Sequence, residues 1–194
     1  KEACLNTAGR GGIFKKGETT NVIQEARKRK TKLFLEDRDT FMQLLVKDIQ
    51  AFQRKCDRLG KLPCIRLNGT SDIQFETIPI EGYENIFDMF SDIQFYDYTK
   101  IPTRKVSHIK NYHLTWSYSE ANDKYAKLFD SVPYNKAVVF NGALPSMFKG
   151  LKVIDGDKTD MRFLDKTNRV VGLKAKGKAR KDDSGFVIQT IQIA

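Results

Sequence analysis

The stretches Ile93-Gln-Phe-Tyr-Asp-Tyr-Thr99 and Tyr112-His-Leu-Thr-Trp-Ser117 decide the fold class. Each is short and rich in aromatic residues, and apolar and polar side chains alternate along it, which indicates a β-strand with two different faces. Connections such as Glu120–Phe129 are long enough for a crossover helix, so we predict an α/β fold with a mainly parallel sheet, open or curled into a partial (β/α) barrel. Further strands are predicted at Cys64–Asn68, Lys136–Phe140, Leu151–Ile154, Val170–Lys174 and Phe186–Ile191.

Two helices are predicted before the strands. Over residues 19–35 the apolar residues fall on one helical face, and the basic run Arg27-Lys-Arg-Lys30 lies on the other. The second helix is capped by Asp37 or Asp39 and stops at Gly60, because Asp is a preferred N-cap and Gly a preferred terminator. This second helix is predicted to be core scaffold.

The composition fits one compact domain. The chain has 194 residues, of which 40% are hydrophobic and 30% are charged, so we expect a single domain over residues 1–194 that opens with a glycine-rich loop over residues 1–18. Since the first residue is Lys1, we expect an upstream segment to be missing. The sequence contains no run of 18 apolar residues, so no contact with a membrane is expected and a cytoplasmic location is predicted.

The formal charge of +10 predicts attraction to polyanions. A basic surface gains free energy when it displaces counterions from phosphates. Much of the excess charge lies in residues 10–32 and 169–181. Nucleic acid is therefore the predicted partner, and a merely solubilising surface is the alternative.

Polar and charged side chains collect at the ends of several predicted strands. Side chains alternate across a strand, so each strand divides into an apolar face and a polar face. If the apolar faces meet the helices, the polar faces line one concavity. Its predicted members are Arg66, Asn68, Asp97, Thr99, Lys100, His113, Thr115, Ser117, Lys174 and Lys176, joined by the turn residues Gly69, Thr70, Ser71 and Asp72.

These residue types suggest roles in a ligand site. Asp97 and His113 are candidate proton carriers and, with Asn68, form the candidate catalytic set. Arg66, Lys174 and Lys176 would hold an anionic group, and Asn68, Thr115 and Ser117 would orient the ligand. The alternatives are a polar network whose members satisfy one another, because buried charge without a partner is costly, and an open face of the sheet that water solvates.

No metal site is predicted. Asp155, Asp157 and Asp160 offer clustered oxygens, but they do not follow an EF-hand loop and read as an ordinary surface turn. His108 and His113 have no cysteine at zinc-site spacing. The sequence specifies no cofactor.

Several motifs carry a resemblance to a known family. They are Cys4-Leu-Asn-Thr-Ala-Gly-Arg-Gly11, Arg66-Leu-Asn-Gly-Thr-Ser-Asp72, Phe95-Tyr-Asp-Tyr-Thr-Lys100, His113-Leu-Thr-Trp-Ser117 and Val171-Gly-Leu-Lys-Ala-Lys-Gly177. Together they resemble a family of proteins encoded by bacteriophages and related mobile elements. The resemblance implies an origin, and with it the cytoplasm of a host cell, rather than an activity.

The layout is also similar to the partial barrels of radical S-adenosylmethionine enzymes. That resemblance implies that Cys4 ends a cysteine loop for an iron–sulfur cluster and that Gly69–Asp72 is a cofactor turn. Those enzymes use three closely spaced cysteines, whereas this segment shows one.

The leading hypothesis is a basic, phage-type protein that binds a phosphate-bearing partner, nucleic acid above all, through its basic stretches and strand-end site. The first alternative is an enzyme that uses the same concavity, in the manner of the radical enzymes. The second is a host-interaction protein that binds a host protein and no small ligand.

Overall fold

The structure is a computed structural model that describes residues 12–14 and 16–190, without the side chain of Lys178. The predicted glycine-rich loop up to Gly11, with Cys4, lies outside the described residues. The described chain divides into two compact units. The smaller contains residues 12–14, 16–65 and 74–94, and the larger contains residues 66–73 and 95–190. The organisation as one domain stays a prediction.

The smaller unit is mainly helical. Its elements are α1 (Val22–Glu36), α2 (Arg38–Arg58), the two-residue strand β1 (Cys64–Ile65), a 3-10 turn (Phe75–Thr77) and α3 (Ile86–Met89).

Capping side chains set the limits of both long helices. The Oδ1 of Asn21 accepts hydrogen bonds from the first free amides of α1, those of Ile23 (3.1 Å) and Gln24 (3.0 Å). The carboxylate of Asp37 caps α2, and Gly60 follows its end with a φ of 60°, a left-handed conformation that favours glycine. Both predicted helices are therefore confirmed.

The larger unit carries the sheet. Its elements are β2 (Gln94–Thr99), β3 (Tyr112–Ser117), α4 (Asp123–Ala126), β4 (Asn135–Asn141), β5 (Met147–Phe148), β6 (Leu151–Asp155), a 3-10 turn (Arg162–Leu164), β7 (Arg169–Lys174), a second 3-10 turn (Gly177–Lys181) and β8 (Val187–Gln189).

The strands of this unit follow the order β2-β3-β4-β7-β6-β5, and every pairing is parallel except the β5–β6 hairpin. Val139 and Phe140 pair with both β7 and β8, so β8 lies on the side of β4 opposite β7. Along the same edge of β4, the earlier residues Asn135 to Ala137 pair with β3. β8 thus takes the place of β3 along the later half of β4.

One face of this sheet carries an aromatic and aliphatic core. The core of this face consists of four side chains, each less than 2% exposed: Trp116, Val138, Phe140 and Val170. Tyr118, Phe129 and Val132 pack against them. Burial of such side chains is the main source of stability in a unit of this size.

The predicted α/β class with a mainly parallel sheet is confirmed, and the sheet is open, with its strands on a path that has two ends. The first predicted strand extends too far, because β1 stops at Ile65 and Asn68 belongs to a turn. The strand β5 was not predicted. The predicted crossover helix at 120–129 shrinks to the four residues of α4, and the other described connections of this unit are loops and 3-10 turns. No described helix has both the length and the apolar character needed to cross a membrane.

Candidate functional site

The predicted polar residues lie on two opposite faces of the sheet. The strands β2 and β3 are parallel, and their register pairs Asp97 with Leu114 and Tyr98 with Thr115. The side chains of two residues paired in this way project to the same face of the sheet. Asp97 and Thr99 therefore share the face of the aromatic core. The opposite face carries Tyr96, Tyr98, His113 and Thr115. The prediction of a single concavity is wrong, because alternation within each strand does not fix the register between strands.

On the first face, the carboxylate of Asp97 is fully buried and accepts three hydrogen bonds. Its Oδ1 accepts from the backbone N–H of Asn68 at 2.7 Å. Its Oδ2 accepts from Nδ2 of Asn68 and from the hydroxyl of Tyr112, both at 3.0 Å. Asp97 is thus the centre of a cluster that we call the Asp97 network: Asp97, Asn68, Tyr112, Arg104 and Asp72.

Arg104 joins the two carboxylates of this network. Its guanidinium, which is fully buried, donates from Nη2 to the hydroxyl of Tyr112 at 2.8 Å and from Nη1 to Oδ1 of Asp72 at 3.0 Å. The other oxygen of Asp72 accepts from the backbone N–H of Lys100 at 2.7 Å and from the hydroxyl of Thr99 at 3.1 Å. The network therefore ties the turn after Asn68 to the end of β2.

Asn68 also fixes the shape of the predicted ligand turn. Its Oδ1 accepts from Oγ of Ser71 and from the backbone N–H of Ile73, both at 2.8 Å. Gly69 and Thr70 remain exposed between these anchors. These hydrogen bonds satisfy the oxygens of Asp97 and Asn68 from within the protein, which matches the alternative of a self-satisfied polar network. The catalytic roles of Asp97 and Asn68 stay predictions.

On the opposite face, three donors converge on the carboxylate of Asp160. Nη1 of Arg66 and the hydroxyl of Tyr96 approach Oδ2 at 3.2 and 3.4 Å, and the hydroxyl of Tyr98 approaches Oδ1 at 3.3 Å. The guanidinium of Arg66 lies 4.6 Å from the centre of the Tyr98 ring. We call these four residues the Asp160 site.

Buried polar atoms without partners occur on Arg66 and on His113 and Thr115, the residues that pair with Tyr96 and Tyr98 in the sheet. Nε of Arg66, Nε2 of His113 and Oγ1 of Thr115 are buried and have no hydrogen-bond partner among the described residues. The guanidinium of Arg162, 1% exposed, forms an ion pair with Asp165 at 3.3 Å. Burial lowers the pKa of His113, and the positive charge of Arg162 acts in the same direction, so the imidazole is neutral at pH 7.

The basic segment after β7 forms a third group, which we call the basic loop (residues 174–181). Lys174 and Lys176 are exposed, and they reach Asp157 through the backbone N–H of Lys174 at 3.0 Å and Nζ of Lys176 at 2.7 Å. Nδ2 of Asn141, at the end of β4, donates to the carbonyl of Arg180 at 3.2 Å and holds the loop against that strand.

The three aspartates weighed as metal ligands have separate partners. Asp155 accepts from the backbone N–H of Asp157, whereas Asp157 faces the basic loop and Asp160 faces Arg66. Within residues 12–14 and 16–190, no three His, Cys, Asp or Glu side chains lie close enough together to hold a metal ion.

A family model described as Gene product 88 matches residues 1–190. The chain belongs to the Gene product 88 family. This phage-type family confirms the predicted origin. No curated protein and no solved structure matches the chain. The resemblance to radical enzymes therefore gains no support, and the cysteine that it used lies outside the described residues.

In this family member the remaining predicted residues are Ser117 and Lys100, and Lys100 contacts the Asp97 network through its backbone N–H. Ser117 ends β3 on the face of His113 and is half-buried. The ammonium group of Lys100 lies 4.8 Å from the ring centre of Phe186. The sequence reasoning missed Arg104 and Arg162, whose burial leaves no periodic pattern because Arg104 lies in a loop and Arg162 in a three-residue 3-10 turn.

The buried carboxyl group of Asp97 is expected to make the stability of the protein depend on pH. Burial raises the pKa of Asp97 to about 6, although hydrogen bonds from Asn68 and Tyr112 oppose the rise. A raised folded-state pKa adds stability that is fully present only below about pH 4, the pKa of an unfolded Asp, and is lost as the pH rises through 6. Compared with Asp97→Asn, the wild type should gain about 2 kcal/mol between pH 7 and pH 4, as measured by urea unfolding. Parallel pH profiles for the two proteins would contradict this expectation.

Proposed function

We propose that this Gene product 88 protein binds a phosphate-bearing partner, nucleic acid, through the basic loop, in the cytoplasm of the host cell. The observation that supports the proposal is the position of exposed cations at the carboxyl ends of β4 and β7. Lys174, Lys176, Arg180 and Lys181 are exposed there.

The strand order singles out this position. The connection that leaves β4 leads to the β5–β6 hairpin, beyond β7, whereas the connection that leaves β7 leads to β8, on the opposite side of β4. Open α/β sheets bind ligands outside the carboxyl ends of adjacent strands whose connections leave in opposite directions. The basic loop lies at the carboxyl ends of β4 and β7 in the sheet of the larger unit.

The chemistry of the loop suits phosphate better than a neutral ligand. Lysine and arginine side chains on an exposed loop contact phosphates without reading bases, and each contact releases counterions. The smaller unit adds the exposed cations Lys28, Arg29, Lys30 and Lys32 on α1, although Lys28 and Lys32 pair with Glu25 and Glu36. Exposed pairs of this kind are weak and can be exchanged for phosphate contacts.

Fluorescence anisotropy with labelled single-stranded DNA, duplex DNA and RNA tests the proposal. Four phosphate contacts would make the affinity fall by about 100-fold between 50 and 200 mM salt, because the logarithm of the binding constant falls by about 0.9 per contact for each tenfold rise in salt. A preference for one nucleic acid that survives near-physiological salt would support a specific interface. No binding at 50 mM salt would refute the proposal, and a salt slope near zero would exclude the basic loop as its source.

A further inference from the structure

We infer that the Asp160 site is a phosphate-binding site in which the carboxylate of Asp160 occupies the place of phosphate oxygens. The site lies on the sheet face opposite the Asp97 network and belongs to the larger unit alone. It is independent of the proposed nucleic-acid binding by the basic loop.

Three donors converge on a loosely held carboxylate. Arg66, Tyr96 and Tyr98 all aim a donor at Asp160, over distances of 3.2 to 3.4 Å. These lengths are at or beyond the long end of the range for strong hydrogen bonds. The side chain of Asp160 is 53% exposed. A carboxylate held in this way can be displaced by an incoming anion at little cost, because water can solvate it as it leaves.

Buried polar atoms without hydrogen-bond partners occur on the two residues that pair with Tyr96 and Tyr98 in the sheet. Oγ1 of Thr115 is fully buried, and Thr115 is the direct neighbour of Tyr98 across the parallel register. His113, whose Nε2 also has no partner among the described residues, is the corresponding neighbour of Tyr96. Buried polar groups ordinarily have partners. An oxygen-rich occupant, with the water it orders, would supply them.

The charge and the donors of the Asp160 site suit an anion with three or more oxygens. Burial raises the pKa of Tyr98, and the charge of Asp160 adds to the rise, so the hydroxyl remains a donor at neutral pH. Once Asp160 has left, Arg66 provides a positive charge with no carboxylate opposite it. A phosphate group offers one oxygen to each of the three donors, whereas a carboxylate has only two oxygens to share among them. The site therefore favours phosphate over a carboxylate, and its cationic side chain disfavours a metal ion.

Calorimetric titration with inorganic phosphate tests the inference. The Asp160→Ala variant removes the internal competitor and should bind phosphate about 10-fold more tightly than the wild type. In the Asp160→Ala background, Arg66→Gln and Tyr98→Phe should each reverse most of that gain. The control Asp130→Ala removes an exposed carboxylate elsewhere in the larger unit and should leave phosphate affinity unchanged. Thermal melting shows that each variant is folded, and Tyr98→Phe, which loses only a hydroxyl, keeps the test valid if Arg66→Gln unfolds.

A spectroscopic measurement separates binding at this site from binding at the basic loop. In the Asp160→Ala variant, phosphate should shift the long-range ¹H–¹⁵N signal of the His113 imidazole, and Lys174→Glu with Lys176→Glu should not abolish that shift. Equal phosphate affinity in Asp160→Ala and wild type, or an unmoved His113 signal at saturation, would overturn the inference.

The source of the phosphate is decided with oligonucleotides that do or do not carry a 5′-phosphate. Tighter binding of the phosphorylated strand, lost in Arg66→Gln, would support a strand terminus as the ligand of this site. Equal binding of both strands, together with retained binding of inorganic phosphate, would support free phosphate or a small phosphate ester. The test uses phosphate alone in its first arm, so a failure of nucleic-acid binding leaves it unaffected.

Discussion

Replacing Asp97 with alanine is expected to lower the free energy of unfolding by about 3 kcal/mol at pH 7. The substitution leaves the backbone N–H and Nδ2 of Asn68 and the hydroxyl of Tyr112 without the acceptors that they now have. Each buried donor that loses its partner costs about 1 to 3 kcal/mol. Water cannot fully replace the carboxylate, because Asp97 is inaccessible to solvent. Urea unfolding followed by circular dichroism measures the loss.

The matched control for this substitution is Asp183→Ala, which removes an exposed carboxylate from the same unit. It should change the free energy of unfolding by less than about 0.5 kcal/mol. An effect of Asp97→Ala as small as that of the control would mean that the Asp97 network does not stabilise the fold. In that case, the predicted catalytic role of Asp97 would become the better explanation for a buried carboxyl group.

Reversing the charge of the basic loop with Lys174→Glu and Lys176→Glu is expected to weaken nucleic-acid binding by about 100-fold at moderate salt. Both lysine side chains are exposed. The substitutions would remove their contacts with phosphates, and the new carboxylates would repel the phosphates. The salt slope should also become shallower by about 2, one unit for each lost phosphate contact. Fluorescence anisotropy over a series of salt concentrations gives both quantities.

The control for the charge reversal must change the net charge equally without touching the proposed interface. Lys110→Glu with Lys152→Glu does so, because both lysines are exposed and lie at or just before the amino ends of β3 and β6. In a parallel sheet, those ends are at the edge opposite the basic loop. If the control pair weakens binding as much as the loop pair, the attraction comes from net charge and the basic loop is not the interface.

The sequence allowed the elements to be predicted well and the site poorly. The helix before Gly60 and the strand Tyr112–Ser117 were predictable because their periodicity is a local property of the chain. Asp97 and His113 were placed in one site because each lies on the polar side of its own strand. The register places Asp97 beside Leu114, and this pairing depends on packing between strands that no single strand encodes.

The burial of two arginines could not be predicted from the sequence either. Arg104 and Arg162 look like ordinary surface cations in the sequence, since arginine is seldom buried. Arg104 is buried because its partners Asp72 and Tyr112 arrive from two other segments, and the pairing with Asp72 spans 32 positions along the chain. A buried ion pair of this kind becomes visible only when the distant segments have been brought together.

The placement of β8 along the later half of β4 has a consequence for how the protein folds. β3, β7 and β8 all pair with β4 in parallel, so no tight hairpin can close any of these pairings. Each must form across a long stretch of chain, and the entropy of loop closure makes such pairings slow. Until β8 arrives, the backbone groups of Val139, Phe140 and Asn141 on that side have no strand beside them. Folding intermediates that lack β8 would therefore present an open strand edge, the kind of edge at which chains aggregate or exchange strands.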